Sequence, residues 1–344
     1  MISLTTGGRP GPPYRVAVLA GGDSSEREIS LASGIQVAAA LRCAGHHVEL
    51  IDPAHTPLHN ANLARFDGCF LALHGGEGED GRLQQELADR GVPFTGSGPT
   101  ASRLAMSKSA AKGVFVRLGV PTPQYVVFEA DQQLDRIIEK VRQVGFPLVI
   151  KPDGQGSSLG VGLARSVHEV PARLADARRY DRLLLAERYI EGREFTVAVL
   201  GRKTLPVLEI IGRGQVFDYH SKYASQTIQY QFEIDLPPMK VEEIARTAVD
   251  AAAALGTAGL VRVDLVLDEF LNPWVLEINT LPGMTEHSMA PKAAARAGMD
   301  MPALCDWILR EGFARTAPNE SSQERPPKPG LLPGSRVWEA RRAA

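Results

Sequence analysis

Apolar runs alternate with amphipathic segments through the first third of the chain. The run YRVAVLAGG begins at Tyr14 and ends in two glycines, which predicts a buried strand that enters a tight turn. The segment SSEREISLASGIQVAAALRCAG follows, with apolar residues at helical spacing behind serines that can cap a helix. Two further strands, HVELIDP and GCFLALHGG, and a helix from about Gly81 to Arg90 come next. This alternation predicts a parallel sheet, which binds its ligands beyond the carboxyl ends of its strands.

Breaks in the same pattern divide the rest of the chain. A helical stretch near 100–118 ends at Gly119, with Pro121 just beyond it. A central unit with a glycine-rich loop follows, and a strand-rich unit with a helix near 239–255 comes after it. The predicted class is therefore α/β and α+β. We expect these boundaries: 1–13, a disordered extension; 14–119, an N-terminal α/β substrate domain; 120–191, a central subdomain; 192–313, a C-terminal subdomain; and 314–344, a disordered tail.

The composition excludes several classes of function. The chain has 344 residues, of which 44% are hydrophobic and 23% are charged, and its formal net charge is −2. This balance provides no basic surface for nucleic acid and no polybasic patch for a membrane. Three widely spaced cysteines without a CxxC pair are typical of buried thiols in a reducing compartment. No apolar run reaches the roughly twenty residues of a membrane-spanning helix, and no signal peptide begins the chain, so we expect a cytoplasmic protein.

Two paired strands near the C-terminus carry candidate metal ligands. In NPWVLEINT, Glu277 and Asn279 lie two residues apart, so their side chains point to the same sheet face, about 7 Å apart along the strand. The preceding strand GLVRVDLVLD carries Arg262 and Asp264 with the same parity, and antiparallel pairing across a short turn brings Asp264 opposite the other two ligands. Two carboxylates and an amide suit Mg²⁺. The alternative is a solvated strand face in which Arg262 pairs with Asp264.

A glycine-rich loop follows an apolar strand in KPDGQGSSLG, which begins at Lys151. Such a loop can place backbone N–H groups and serine hydroxyls on phosphate oxygens, with a lysine as a point charge. It matches neither a Walker A motif nor a dinucleotide fingerprint. A hairpin turn with glycines in left-handed conformations is the alternative, and the loop alone does not decide between them.

Taken together, these motifs resemble the D-alanine–D-alanine ligases of the ATP-grasp superfamily. The matching stretches are AVLAGGDSSEREISLASG, LALHGGEGEDGRLQ, PFTGSG, VIKPDGQGSSLGVG, EGREFTVAVL, DYHSKY, VRVDLVLD and LEINTLPGMTEHSMAPKAA. They span about Arg15 to Phe313 in the family's order. The resemblance implies a parallel-sheet pre-ATP-grasp domain followed by a two-subdomain ATP-grasp fold that grips ATP. It also implies a carbon–nitrogen ligase that joins two D-alanines through an acyl phosphate for peptidoglycan precursor synthesis.

The resemblance also assigns roles to individual residues. It implies two Mg²⁺ or Mn²⁺ ions held by Asp264, Glu277 and Asn279. The residues expected at ATP are Lys108, Lys151, Ser158, Glu187, Arg188, Ile190, Glu194, Lys222 and Asn279. The residues expected at the two D-alanines are Glu26, His74, Arg262, Gly283, Ser288 and Met289, and the expected catalytic set is Glu26, Ser157, Tyr223, Arg262 and Ser288. Each has an ordinary structural alternative, such as a first-turn helix carboxylate for Glu26 or a packing aromatic for Tyr223.

The expected substrate and partners also rest on the resemblance. The polar segment FDYHSKYASQTIQY fits a lid over ATP, and its Lys222-Tyr223 pair is similar to that of members that form a dipeptide rather than a D-lactate ester. We therefore expect D-alanine as both substrates, no nucleic acid or membrane partner, and a homodimer. Two rivals remain: another ATP-grasp ligase that joins a carboxylate to an amine, and a nucleotide-binding regulatory protein without turnover.

Overall fold

A parallel sheet forms the N-terminal unit, as the strand–helix alternation predicts. The chain is represented by a computed structural model, which describes residues 12–212 and 229–316. Strands β1 (Arg15–Leu19), β2 (His47–Ile51) and β3 (Gly68–Leu71) lie in the order β2-β1-β3, all parallel. Helices α1 (Arg27–Cys43) and α2 (Arg82–Asp89) follow β1 and β3. The predicted parallel sheet is confirmed, and the loops after β1 and β3 lie at its carboxyl edge.

The helical stretch predicted near 100–118 consists of two helices, α3 (Pro99–Met106) and α4 (Lys108–Leu118). The break lies at Ser107, whose extended backbone ends α3 and whose hydroxyl accepts a hydrogen bond from the N–H of Ala110. Serine is a favoured residue at a helix N-cap because its side chain satisfies one of the free N–H groups of the first turn. The predicted end at Gly119 is confirmed, with Gly119 in a left-handed conformation.

A four-stranded antiparallel sheet forms the central unit, in the order β4-β7-β5-β6. Its elements are β4 (Tyr125–Glu129), α5 (Leu134–Val144), β5 (Leu148–Pro152), β6 (Gly162–Ala164), α6 (Val170–Ala177) and β7 (Leu183–Arg188). Residues from both helices and all four strands share one apolar core, which includes Ile137, Leu148 and Leu174. The glycine-rich loop joins β5 to β6, which is an edge strand of this sheet.

A larger antiparallel sheet forms the C-terminal unit, in the order β11-β10-β8-β12-β13, with β9 paired to β8. Its elements are β8 (Gly192–Leu200), β9 (Lys203–Thr204), β10 (Leu208–Ile211), β11 (Gln229–Gln231), α7 (Pro238–Leu255), β12 (Leu260–Asp268), β13 (Pro273–Asn279), α8 (Met289–Arg296) and α9 (Met301–Thr316). Helix α9 continues past Phe313, where the folded part was predicted to end. Phe313 is buried in a core that α9 shares with α1, so packing against the N-terminal unit holds the last turns.

Candidate functional site

The three units surround a cavity of about 670 Å³. Residues predicted from widely separated motifs line it together. They are Glu26, His74, Lys108, Ser157, Arg262, Glu277, Asn279, Gly283, Ser288 and Met289. These residues come from the N-cap of α1, the loop after β3, the start of α4, the glycine-rich loop, β12, β13, and the start of α8 with the segment that leads into it. A single concave site therefore collects all six of the predicted substrate residues.

The strand pair β12–β13 has the register that the residue parity predicts. Asp264 lies opposite Glu277, and Arg262 lies opposite Asn279. A β-bulge follows at once, because Leu265 pairs with Val275 and leaves Leu276 as the extra residue. Bulges bend a strand and change the direction of its side chains, and they are frequent beside active sites.

Arg262 is held in place by Asp264. Its Nε and Nη2 atoms donate hydrogen bonds to the two carboxylate oxygens of Asp264, each at 2.9 Å, and the Thr196 hydroxyl donates to the same carboxylate at 2.7 Å. Burial opposes the charge of the guanidinium, but the adjacent Asp264 carboxylate outweighs this effect and raises the pKa of Arg262. The ion pair considered as an alternative role for Arg262 is therefore present, and Arg262 lines the cavity as well.

The donors on this face fit a divalent cation. Glu277 and Asn279 line the cavity, and Asp264 lies across from Glu277. Within residues 12–212 and 229–316 no group of three or more His, Cys, Asp or Glu side chains is placed to hold a metal. Two carboxylates and one amide are nevertheless enough for Mg²⁺, because this ion usually takes only a few protein oxygens and completes its shell with phosphates and water.

The glycine-rich loop is attached to the start of α4. Lys108 donates a hydrogen bond to the carbonyl of Gln155 at 2.6 Å, and its Nζ lies 3.5 Å from a carboxylate oxygen of Glu277. Asp153 accepts hydrogen bonds from the Ser107 hydroxyl at 2.6 Å and from the Ser109 N–H at 2.7 Å. Lys108 is buried, and its ammonium group therefore lies between the glycine-rich loop and the strand face that carries Glu277.

Glu26 and Ser157 meet across the cavity. The Ser157 hydroxyl donates a hydrogen bond to Oε1 of Glu26. Ser157 and Ser158 both have left-handed backbones, with φ of 51° and 58°. Such conformations are uncommon for residues other than glycine and tend to occur at ligand sites. Two residues of the expected catalytic set, Ser157 and Glu26, are thus in direct contact.

His74 is buried and has both ring nitrogens engaged. Nδ1 lies 3.0 Å from the carbonyl of Leu281, and Nε2 lies 2.9 Å from the hydroxyl of Ser33. Burial is the main effect that lowers its pKa, partly opposed by the nearby Glu26 carboxylate. His74 therefore lines the cavity and links separate parts of the chain.

Some predicted ATP residues lie outside the lining of this cavity. Lys151 and Glu187 form a buried ion pair with 2.6 Å between Nζ and Oε1. Arg188 ends β7 and is exposed, Ile190 lies in the connection to β8, and Glu194 is a residue of β8. Lys222 and Tyr223 lie outside the described residues, as does the predicted lid up to residue 228. The last two lid residues, Gln229 and Tyr230, lie in β11, and Tyr230 lines the cavity.

Two buried charged residues of the site were not identified from the sequence. Glu79 lines the cavity, and its carboxylate accepts a hydrogen bond from the Gly75 N–H at 2.6 Å. Burial, together with the charge of Glu26, raises the pKa of Glu79 to about 7. Lys112, on α4, lies 2.8 Å from Glu187. Lys112 lies four residues after Lys108, so both lysines share one helix face. This spacing is the sequence feature that predicts a place for Lys112 beside Lys108.

The chain matches known proteins over most of its length. Residues 114–310 match the family model described as D-ala D-ala ligase C-terminus. The D-alanine--D-alanine ligase of Bordetella pertussis is 44% identical over 88% of this chain and 96% of its own. That of Bordetella avium is 42% identical over 88% and 95%.

Solved structures show the same similarity. The D-alanine–D-alanine ligase of Bacillus anthracis complexed with ATP superposes with a TM-score of 0.78 at 28% identity, over 88% of this chain and 98% of its own. The corresponding structure from Coxiella burnetii gives 0.77 at 26% identity, over 88% and 95%. Among the helices that the structure describes, none has the length and apolar character needed to cross a membrane.

Proposed function

The chain belongs to the D-alanine–D-alanine ligase family, and from this premise we propose how its residues carry out the reaction. The family's activity is the ATP-dependent joining of two D-alanines for cell wall synthesis. The observation that carries the residue assignment is the single cavity that Glu26, Arg262, Glu277 and Gly283 line together. Acidic, cationic, metal-binding and N–H donor groups are all needed for ligation through an acyl phosphate.

The first D-alanine binds with its ammonium group at Glu26. The Ser157 hydroxyl orients that carboxylate by donating to it, and His74 and Glu79 line the same end of the cavity. The carboxylate of this D-alanine attacks the γ-phosphorus of ATP, so that a new O–P bond forms and ADP leaves. Lys108 contacts the phosphates because its charge lies beside Glu277 and the glycine-rich loop.

The second D-alanine binds with its carboxylate at Ser288 and the start of α8. Its amine, after loss of a proton, attacks the carbonyl carbon of the acyl phosphate. Arg262 and the N–H of Gly283 stabilise the oxyanion of the tetrahedral intermediate, which expels inorganic phosphate and forms the peptide bond. Fixed cationic and N–H donors are effective here because they need no reorganisation as the charge develops.

Asp264, Glu277 and Asn279 would hold two divalent cations, Mg²⁺ or Mn²⁺. When bound, they neutralise charge on the phosphates during phosphoryl transfer. Lys151, Ser158, Glu187, Arg188, Ile190, Glu194 and Lys222 serve the nucleotide, and Tyr223 and Met289 complete the substrate site. We further propose a homodimer in the cytoplasm and the domain division at residues 14–119, 120–191 and 192–313.

Release of ADP and formation of dipeptide test this proposal. The purified chain with ATP and Mg²⁺ should release ADP only when D-alanine is added, with one D-alanyl-D-alanine formed for each ADP. Turnover with D-lactate but not D-alanine as the second substrate at neutral pH would reject the proposed specificity. ADP release that ignores D-alanine would reject the ligase assignment of the site.

A further inference from the structure

The segment Leu281–Met284, between β13 and α8, packs against the N-terminal unit. The Leu281 side chain is buried in a core that contains Leu19 and Leu71 of the parallel sheet. The Met284 side chain is buried in the core formed with α1 and α9. The segment therefore belongs to the C-terminal unit in sequence but is held by the N-terminal unit in space. Gly283, the proposed oxyanion donor, lies between these two anchors.

Polar contacts fix the same segment at both ends. The carbonyl of Leu281 lies 3.0 Å from Nδ1 of His74, and the N–H of Met284 donates to the hydroxyl oxygen of Ser33 at 3.1 Å. Ser33 lies on α1 and is 0% exposed, and its hydroxyl is 2.9 Å from Nε2 of His74. Ser33 and His74 thus contact each other and hold the segment on both sides of Gly283.

The direction of these hydrogen bonds follows from the groups involved. A carbonyl oxygen only accepts, so Nδ1 of His74 carries the proton and donates to Leu281. Nε2 is then the acceptor, and the Ser33 hydroxyl donates to it while accepting from the Met284 N–H. The three hydrogen bonds therefore run in one direction, from the Met284 N–H through Ser33 and His74 to the Leu281 carbonyl. This order fixes a single arrangement of the network.

Gly283 itself remains available for a ligand. Within residues 12–212 and 229–316, its N–H donates to no protein acceptor, and Gly283 lines the cavity. A Cβ at this position would lie 2.7 Å from the hydroxyl oxygen of Ser288, so the segment passes the proposed second-substrate site closely. The orientation of the peptide between Pro282 and Gly283 depends on the anchors on either side.

We propose that Ser33 is a positioning residue that aims the Gly283 N–H at the developing oxyanion, acting through Met284 and His74. This inference rests on the proposed role of Gly283 in the ligase reaction. Ser33 touches neither substrate. Its hydroxyl fixes the segment before the second D-alanine attacks, so its effect falls on the tetrahedral state and not on ATP binding.

Ser33→Ala tests the inference, with Ser30→Ala as the matched control. Ser30 lies one turn earlier on α1, is also 0% exposed, and bonds the Gly21 N–H at 2.8 Å and the Ala72 carbonyl at 2.9 Å, away from the segment. Because misplacement by about 1 Å can cost roughly 100-fold in rate, we expect kcat to fall about 10- to 100-fold in Ser33→Ala. The KM values for ATP and the first D-alanine should change less than about threefold.

A tetrahedral mimic and a conservative variant distinguish positioning from folding. Binding of a phosphinate analogue of the dipeptide should weaken in Ser33→Ala by about the factor lost in kcat, while Ser33→Thr or Ser33→Cys should recover part of both. Unchanged kcat in Ser33→Ala, or an equal loss in Ser30→Ala at equal folded fraction, would overturn the inference. Absence of turnover in the unmodified chain would instead overturn the proposed function.

Discussion

The ammonium of Lys112 lies 2.8 Å from one carboxylate oxygen of Glu187, and the ammonium of Lys151 lies 2.6 Å from the other. Burial opposes the charge of Glu187, but the two lysines outweigh it and lower its pKa to about 2. Burial lowers the pKa of Lys112 to about 8. Lys112 also donates to the Thr122 hydroxyl at 2.7 Å, and Thr122 donates to the carbonyl of Val275 at 2.8 Å. Lys112 therefore joins α4, β7 and the bulged strand β13.

Replacement of Lys112 should weaken ATP use. In Lys112→Met the Glu187 carboxylate keeps only Lys151 as a partner, which draws that lysine away from any phosphate. We expect the KM for ATP to rise by about tenfold and the free energy of unfolding to fall by about 3 kcal/mol, as for other broken buried pairs. Initial rates against ATP concentration and denaturant titration measure the two effects.

The matched control for Lys112 is Lys140→Met. Lys140 donates a hydrogen bond to the carbonyl of Val127 at 3.1 Å, and it lies on α5 away from Glu187. Its KM for ATP should stay at the unmodified value. Adding Glu187→Gln to Lys112→Met should lower the stability further, because the buried Lys151 then loses its carboxylate partner. A KM for ATP in Lys112→Met equal to that of the control contradicts the assigned coupling.

Glu277→Gln should abolish turnover and leave the protein folded. The substitution keeps the size of the side chain but removes the charge that a divalent cation requires, and Glu277 lines the cavity on one strand face with Asn279. A loss of at least about 1,000-fold in kcat is expected, since metal and electrostatic stabilisation supply several kcal/mol of the barrier reduction. Circular dichroism and steady-state kinetics measure both properties.

Glu269→Gln is the control for the metal face, because Glu269 lies exposed in the turn between β12 and β13. Its rate and its dependence on Mg²⁺ concentration should match those of the unmodified chain. Turnover that survives in Glu277→Gln at ordinary Mg²⁺ concentration means that the metal assignment is wrong.

The alternation of side chains along a β-strand explains why the sequence predicts a strand face that carries both Asp264 and Glu277. Side chains two residues apart share a sheet face, and a short turn makes the two strands antiparallel neighbours. The opposition of Asp264 and Glu277 follows from these local rules. The bulge at Leu276 does not, because it depends on how β13 packs against α7 and on where the Thr122 contact holds Val275.

Contacts between distant segments account for what the sequence did not reveal. Burial of Lys112 and Glu79 depends on the packing of units far apart in the chain, and neither residue type is usually buried. The hydrogen bonds of Ser33 to His74 and Met284 span separations of 41 and 251 residues. Residue spacing within one segment does not predict hydrogen bonds between segments so far apart. The four-residue spacing of Lys108 and Lys112, in contrast, does indicate that both lysines lie on one face of α4.

Gly75→Ala should weaken binding of the first D-alanine. Gly75 has a φ of 64°, and a Cβ there would lie 2.7 Å from Oε2 of Glu26. The methyl group has to displace the carboxylate proposed to hold the substrate ammonium, so KM for the first D-alanine should rise by about tenfold or more. The left-handed backbone adds a cost of about 1 kcal/mol to stability.

Gly91→Ala separates the two effects of Gly75→Ala. Gly91 has the same φ of 64°, but a Cβ there meets nothing within 4 Å. It should lose a similar amount of stability and keep its KM for D-alanine. Isothermal titration with D-alanine gives an independent affinity. Equal affinity in both variants would show that Gly75 does not govern the position of Glu26.

Glu79 makes the stability of the protein depend on pH. Its pKa rises from 4.5 to about 7, first through burial and then through the charge of Glu26, although the Gly75 and Leu281 N–H groups and Arg262 favour the ionised form. Between these values the folded state keeps a proton that the unfolded state has lost. Stability that is fully present below pH 4.5 is therefore lost as the pH rises through about 7.

Glu79→Gln should remove this dependence. The amide stays neutral, and each pH unit between the two pKa values is worth about 1.36 kcal/mol, so the variant should gain about 3 kcal/mol over the unmodified chain at pH 8. At pH 4.5 the two proteins should have nearly equal stability, apart from the exchange of hydrogen-bond donors.

Glu77→Gln is the control, because Glu77 is exposed and pairs with Arg82 at the surface. Urea titrations from pH 5 to 8 measure the difference, which should grow with pH for Glu79→Gln and stay near zero for Glu77→Gln. A difference that is constant across this range would show that Glu79 is ionised in the folded protein throughout, and that Arg262 and the two N–H groups outweigh burial.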